Sequence, residues 1–378
     1  MIYLDYSATT PVNEEVLNTF NKVCRNYIGN PNSLHQLGKE ANKLMNEATK
    51  QIANLLKVKE SEIIYTSGAT ESNNLALKGV AFFYKNRGKH IITTKLEHAS
   101  IKETLNYLEK QGFNISYVNL LDNGLVDLSH LKSLITKDTI LVSICYVDSE
   151  IGLKQPIMEI GRLLKAYSKV IFHVDGTQAV GKININLENV DLFSFSAHKF
   201  YGLKGIGCLI KKENIELEPI IHGGKSNTIY RSGTPTLPLI ISLAKALRLS
   251  FENLEIKYQK VLKLNQKIKK ELKKYSEITI NSNEYSIPHI LNISLNQIKP
   301  ETFIRAMEKH EIYFSTKSAC SLLDTFSTSL LALNKNEQEA ATSIRISLSY
   351  LTTEQEIEQF LTFFAKEYQA LNLKKREE

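Results

Sequence analysis

Ile63-Ile64-Tyr65-Thr66-Ser67-Gly68-Ala69-Thr70-Glu71-Ser72 reads as a buried strand, a tight turn and the start of a helix. Small residues in the turn let the backbone come close to a ligand. The unpaired N–H groups of a helix start, with the helix dipole, favour an anion there, most often phosphate. A plain capped helix after a strand accounts for the same residues equally well. Outward from this segment, short β-branched runs alternate with amphipathic stretches. Strands are expected at 62–66, 90–94, 115–118, 139–147, 170–174, 192–194 and 207–210, and helices at 34–56, 71–86 and 153–167. Repeated strand–helix–strand order predicts an α/β fold with a mostly parallel sheet.

Around 223–238 the texture changes, because Gly223, Gly224, Gly233, Pro235 and Pro238 interrupt the periodicity. A long helical run is expected over 238–275, then a strand at 288–294, a helix at 302–309 and a strand at 343–348. The capping box Thr353-Glu354-Gln355-Glu356 predicts the start of a last helix. A change of domain is expected inside the long helix, near residue 255.

The length, 378 residues, suggests two or three domains at about 100–200 residues each. With 43% hydrophobic and 23% charged residues, the composition is that of an ordinary globular protein, neither disordered nor disulfide-stapled. No apolar run nears the ~20 residues of a membrane helix, so no span is expected. Met-Ile-Tyr-Leu-Asp-Tyr-Ser at the start has no basic or apolar region of a secretory signal, so no leader is expected. The net charge of +7 comes mostly from dispersed lysines. The cluster Lys267, Lys269, Lys270, Lys273 and Lys274 reads as a solvated helix face and not as a nucleic-acid stripe. Cys24, Cys145, Cys208 and Cys320 are too scattered for a zinc or C-x-x-C site, so no metal is expected and a reducing cytoplasm fits.

Two more segments carry chemistry. In His173-Val174-Asp175-Gly176-Thr177-Gln178 an acid ends an apolar strand, the edge where open α/β sheets bind ligands. Such an Asp can hold a cationic ring nitrogen, or simply cap the next helix. In Phe193-Ser194-Phe195-Ser196-Ala197-His198-Lys199-Phe200-Tyr201-Gly202 a lysine follows a buried strand, beside Ser and His that suit a phosphate. A desolvated lysine loses its proton readily and can form a Schiff base. Phosphate cradle, strand-end Asp and strand-end Lys together are what pyridoxal phosphate (PLP) requires.

At this point the chain resembles, essentially from end to end, the cysteine desulfurases of the NifS/IscS type, within the class V aminotransferases. The resemblance rests on 4–11 (Leu-Asp-Tyr-Ser-Ala-Thr-Thr-Pro), Gly29-Asn30-Pro31, 66–73, Glu97-His98, Glu150-Ile151-Gly152, His173-Val174-Asp175 with Gln178 and Ser196-Ala197-His198-Lys199. It continues through Arg231-Ser232-Gly233-Thr234, Ser318-Ala319-Cys320 and Ser343-Ile344-Arg345. It implies the PLP-dependent transferase fold of the aspartate aminotransferase type. The large PLP-binding domain would be 13–255; a smaller α+β domain, 1–12 with 256–378, would carry the catalytic cysteine loop.

The resemblance also implies roles. Lys199 would be the Schiff-base lysine, Asp175 the partner of the pyridine nitrogen and Gln178 that of the ring oxygen. Ala69 and Thr70 would hold the phosphate, with Ser196 and His198 opposite and Thr234 reaching in from the neighbouring subunit of a homodimer. His98 would stack on the ring and move protons, Arg345 would clamp the substrate carboxylate, and Cys320 would take sulfur as a persulfide. Its polar neighbours suggest an exposed Cys320, and Lys317 stands close enough to lower the thiol pKa. The other cysteines read as core thiols. The implied reaction turns L-cysteine into L-alanine and passes sulfur to an acceptor or iron–sulfur scaffold protein. A selenocysteine lyase or an aminotransferase is the alternative, and a nucleophile at Cys320 is what transamination has no need of. The chain departs from the pattern at Asp148-Ser149, where the family usually has two asparagines, and at Lys317, where it has glycine. Ser149 is thus expected to face the cofactor with a shorter side chain.

Overall fold

The computed structural model of the chain describes residues 1–316, 326–333 and 335–377, with the side chains of 373–377 left aside. The strands in chain order are β1 (Ile2–Tyr3), β2 (Ile63–Thr66), β3 (His90–Thr93), β4 (Asn114–Tyr117), β5 (Thr139–Cys145), β6 (Ile171–Asp175), β7 (Leu192–Ser196) and β8 (Gly207–Lys211). They continue with β9 (Thr279–Ile280), β10 (Ile290–Ser294), β11 (Ile312–Tyr313) and β12 (Ser343–Ser347). All the strands expected from the sequence form, with ends moved by a few residues.

Seven strands build one sheet in the order β2-β8-β7-β6-β5-β3-β4. Every pairing from β7 through to β4 is parallel, and β8 alone runs against its neighbours. The carboxyl ends of β2, β3, β5, β6 and β7 therefore share one edge with the start of β8. Successive side chains of a strand point to opposite faces. Ile64, Ile91, Leu141, Ile171, Leu192 and Leu209 pack on one face, under the helices Ala69–Phe83 and Ala99–Lys110. Their neighbours Tyr65, Ile92, Val142, Phe172, Phe193 and Ile210 pack on the other, against Gln36–Leu56 and Leu237–Phe251. Burial on both faces is why these strands read as continuous apolar runs.

A separate core draws Ile2 and Leu4 together with apolar residues from Val261 onward. It covers the antiparallel sheet β12-β10-β9, while β1 pairs in parallel with β11. Residues 5–13 then run from that core to the edge of the large sheet. No helix among the described residues is long and apolar enough to cross a membrane.

Three sequence expectations change. The run 238–275 is two helices, Leu237–Phe251 and Leu254–Leu272, broken at Asn253, whose φ of 54° is left-handed. Asn tolerates that region, and apolar periodicity does not register a one-residue break. The stretch 153–167 is helical only over Ile157–Leu164, because Leu153 and Lys154 form β-bridges and Pro156 caps the helix. Cys24 is exposed, whereas Cys145 and Cys208 are buried as expected. The capping box at Thr353 forms, with Glu356 N–H donating to Thr353 Oγ1 at 3.1 Å and Thr353 N–H to Glu356 Oε2 at 2.7 Å.

The edge of the large sheet tolerates no added atom at one point. A Cβ on Gly207 would lie 2.6 Å from both Gly68 Cα and Phe195 O, which are backbone atoms that cannot turn aside. Gly207→Ala is expected to cost about 1–3 kcal/mol in chemical denaturation, whereas Gly205→Ala, whose Cβ meets nothing within 4 Å, carries only the smaller strain of its positive φ.

Candidate active site

The strand ends open into a cavity of about 380 Å³, within the size range of small-molecule sites. Its walls hold Ala69, Thr70, His98, Ser149, Asp175, Gln178, Ser196, His198, Lys199 and Arg345, which the sequence had singled out. Thr234 is not on this wall; it is exposed on the segment before the helix Leu237–Phe251. Cys320 and Lys317 lie outside the described residues.

Lys199 ends the turn that follows β7. Its Nζ donates to the carbonyls of Ser7 at 2.6 Å and Ala8 at 2.8 Å. The turn is tied to the 5–13 segment by Thr10 N–H and Thr10 Oγ1, each 3.0 Å from His198 O. It bends sharply enough that Tyr201 takes φ 67°.

Asp175, the last residue of β6, is fixed from both sides. Its Oδ1 accepts from Thr177 N–H at 2.9 Å, and its Oδ2 from Asn73 Nδ2 at 2.8 Å. Asn73 also donates to Ser100 Oγ at 2.9 Å. Ser100 N–H in turn donates to His98 Nδ1 at 3.1 Å. Burial holds His98 below its ordinary pKa. With Nδ1 accepting, its hydrogen sits on Nε2.

The helix Ala69–Phe83 starts at the cavity wall, so the N–H groups of Ala69 and Thr70 have no partner inside the helix. His198 stands across from them and is pushed down to about 4 by burial, then by Lys199, Lys204 and Lys182. The donors and positive charge gathered here suit a dianionic phosphate.

Arg345, only 1% exposed, reaches the same cavity from β12. Its Nη2 donates to Asp5 Oδ1 at 2.9 Å and its Nη1 to the Ser149 carbonyl at 3.0 Å. Ser149 thus contributes its backbone oxygen to the arginine. Among the described residues, Arg345 Nε and Ser7 Oγ are buried without a hydrogen-bond partner, on residues that line the cavity. Buried polar atoms are seldom left so. Together with a cation, a fixed carboxylate and a helix start, they fit PLP and an amino-acid carboxylate.

Cys145 also lines the cavity, but burial, and then Glu97, push its thiol well above the ordinary value. It is a packing thiol there. Glu97 Oε1 accepts from Thr94 Oγ1 at 2.7 Å and from Cys145 N–H at 2.9 Å. Burial raises Glu97 to about 8. The sequence reading missed Asn73, although it closes a quoted block. It also missed the carbonyls of Ser7 and Ala8, which no side-chain pattern could reveal, and Lys182. Lys182 follows Gln178 by one helical turn inside an apolar run, and that burial was the available signal.

The chain matches the family described as Aminotransferase class-V over residues 2–360. Cysteine desulfurase IscS of Neisseria meningitidis serogroup C (strain 053442) is 40% identical over 364 residues, 94% of this chain and 89% of that protein. A solved NifS-like protein superposes with a TM-score of 0.92 at 36% identity, covering 98% of this chain and 99% of its own. SspA, solved in complex with cysteine, gives 0.82 at 32% identity, over 93% of this chain and all of its own.

Glu97 gives the site a measurable pH signature. Folded, it keeps its proton up to about pH 8, while the unfolded chain releases it near pH 4.3. Its contribution to stability is therefore lost as pH rises between those values. Glu97→Gln, which stays neutral, is expected to match the wild type in melting temperature near pH 4 and to exceed it progressively up to pH 8. The gap should reach on the order of a few kcal/mol; parallel pH profiles would show Glu97 ionised in the folded state.

Proposed function

The chain belongs to the aminotransferase class-V family as a PLP-dependent cysteine desulfurase, and from that premise we propose how its side chains divide the work. Bound in the cavity, PLP supplies an electron sink that makes the substrate Cα proton acidic and weakens the Cβ–S bond. The observation that carries the assignment is one cavity holding Lys199, the doubly fixed Asp175 and a helix start.

Asp175 holds the protonated ring nitrogen, and its bonds from Asn73 and Thr177 keep the carboxylate from turning away. Ala69, Thr70, Ser196 and His198 hold the phosphate. Gln178 donates to the ring oxygen. Arg345 takes the carboxylate of L-cysteine through its remaining N–H groups, its plane set by Asp5 and the Ser149 carbonyl. Lys199 would hold the cofactor and would carry the substrate Cα proton at its Nζ, which lies within hydrogen-bond reach of the Ser7 and Ala8 carbonyls. His98 offers the hydrogen on Nε2. Cys320, as thiolate, takes the substrate sulfur: an S–S bond forms, the C–S bond breaks, and its electron pair stays with carbon, which gains a proton and leaves as alanine. The persulfide then passes to an acceptor or iron–sulfur scaffold protein.

In this reading 13–255 is the cofactor-binding domain, and 1–12 with 256–378 brings Arg345 and Cys320. The active form is a homodimer in which Thr234 completes the partner's phosphate site. Ile28 and Leu34, 81% and 88% exposed, and Ile229, 56% exposed, lie on two segments joined by the 2.8 Å bond from Asn32 Nδ2 to Ser226 Oγ. Exposed apolar side chains on joined segments suit a self-complementary interface. We place the reaction in the cytoplasm, whose reducing poise suits free Cys24, Cys145 and Cys208.

The purified, PLP-loaded protein should be yellow and release sulfide and alanine from L-cysteine in the presence of a reductant. Lys199→Ala should lose or shift the visible band, and Cys320→Ser should keep it while sulfide release stops. Undiminished sulfide from Cys320→Ser would remove that thiol from the reaction; running selenocysteine and alanine as rival substrates fixes the specificity.

Arg345→Lys keeps the charge but not the fork, and should raise KM for cysteine by about tenfold or more, with a smaller loss in kcat. For the dimer, Leu34→Asp with Ile229→Asp should sediment as a monomer of low activity. A fully active monomer would contradict the role given to Thr234.

A further inference from the structure

Lys182 is a buried lysine with no part in the chemistry above. It is 6% exposed, and its Nζ donates to Gln178 Oε1. Burial, with the nearby charges of Lys199 and Arg345, pushes its pKa well below the ordinary value. Among the described residues, the charges that act on it are those of Lys199 and Arg345. His289, which stands near it, is also buried, and is pushed down to about 3 by burial and then by Lys182.

The backbone puts this amine where it is for a reason. After β6 the chain makes a single helical turn, with Val180 N–H donating to Gly176 O and Lys182 N–H to Ala179 O. One turn apart, Gln178 and Lys182 share a face. Gly181 carries the turn at φ 72°, and a Cβ there would meet Phe200 Cβ at 2.8 Å. The pair cannot slide apart without moving the turn that bears Lys199.

The Gln178 amide has two edges. Its nitrogen donates to the Ser7 carbonyl at 3.0 Å, and the same carbonyl also accepts from Lys199 at 2.6 Å. Its oxygen faces Lys182. Reversing the amide would set its oxygen against the Ser7 carbonyl and take that oxygen away from the Lys182 Nζ that donates to it. As Lys199 is the group that moves during the reaction, the Ser7 contact is shared with a moving donor. The Lys182 contact is not.

We propose that Lys182 is a positioning residue that pins the oxygen of the Gln178 amide, so that its N–H edge stays turned to the cavity and to an acceptor oxygen of the bound group. The inference rests on the reading that this cavity holds PLP and that Gln178 touches it. It predicts that Lys182 acts through Gln178 and not on its own.

The test is a double-mutant cycle with Lys182→Met, Gln178→Ala and the pair, each prepared as apo-protein and titrated with PLP. Two quantities are read: the PLP dissociation constant, and the pH midpoint of the visible band of the loaded protein. Lys182→Met is expected to weaken PLP binding about tenfold and to shift the midpoint in the same direction as Gln178→Ala. The double variant is expected to be no worse than Gln178→Ala alone. Multiplying losses, or wild-type binding and midpoint in Lys182→Met, would overturn the proposal. If Lys182→Met does not fold, Lys182→Gln, which keeps an N–H donor, takes its place in the same cycle and is expected to retain the wild-type midpoint; a shift equal to that of Gln178→Ala would overturn it. A wild-type protein that binds no PLP defeats the parent reading instead, which separates the two failures.

Discussion

Burying several basic side chains around one cavity requires fixed acceptors, and one short segment supplies most of them. Residues 5–8 place the Asp5 carboxylate on Arg345 and the Ser7 and Ala8 carbonyls on Lys199. Farther on, Thr9 Oγ1 and Thr10 meet His198, and Asn13 N–H donates to Tyr201 O. At its other end the segment is part of the C-terminal sheet, with Ser347 N–H donating to Leu4 O at 2.7 Å. Both halves of the site therefore hang from the same short strap. An uncompensated buried charge is among the costliest defects a fold can carry, so the strap constrains where Arg345 and Lys199 can stand.

The acid side of the cavity is organised by the same economy. Asp175, Asn73, Ser100 and His98 form a continuous hydrogen-bonded path across three elements. Each member orients the next, and the last link decides which nitrogen of His98 carries the hydrogen. Because every link sits at a strand end or in the first turns of a helix, the path is rigid without help from a ligand. That is the condition for electrostatic preorganisation, in which dipoles are aimed before charge develops.

Much of this was legible in the sequence. Buried strands of a parallel sheet announce themselves as apolar runs, and the Thr353 capping box specified its helix start by local hydrogen bonding alone. The helix Glu14–Asn26 was missed although Asn13 caps it, because the polar residues around it obscure its narrow apolar face. The helix break at Asn253 was missed because a left-handed residue leaves hydrophobic spacing almost intact. Lys182 went unnoticed because a lysine is presumed solvated until its surroundings are known.

The sequence by itself determined the alternation of elements and, through its ordered motifs, the chemistry: a lysine, an acid and a helix start at strand ends. These are local facts, written in neighbours along the chain. What only the tertiary structure decided was the company each group keeps. Asp5 meets Arg345 across 340 residues and Ser7 meets Lys199 across 192. The lowered pKa values of Lys182 and His98, and the raised carboxyl of Glu97, follow from that packing. Desolvation and partner charges depend on three-dimensional distance, which no spacing in the sequence encodes.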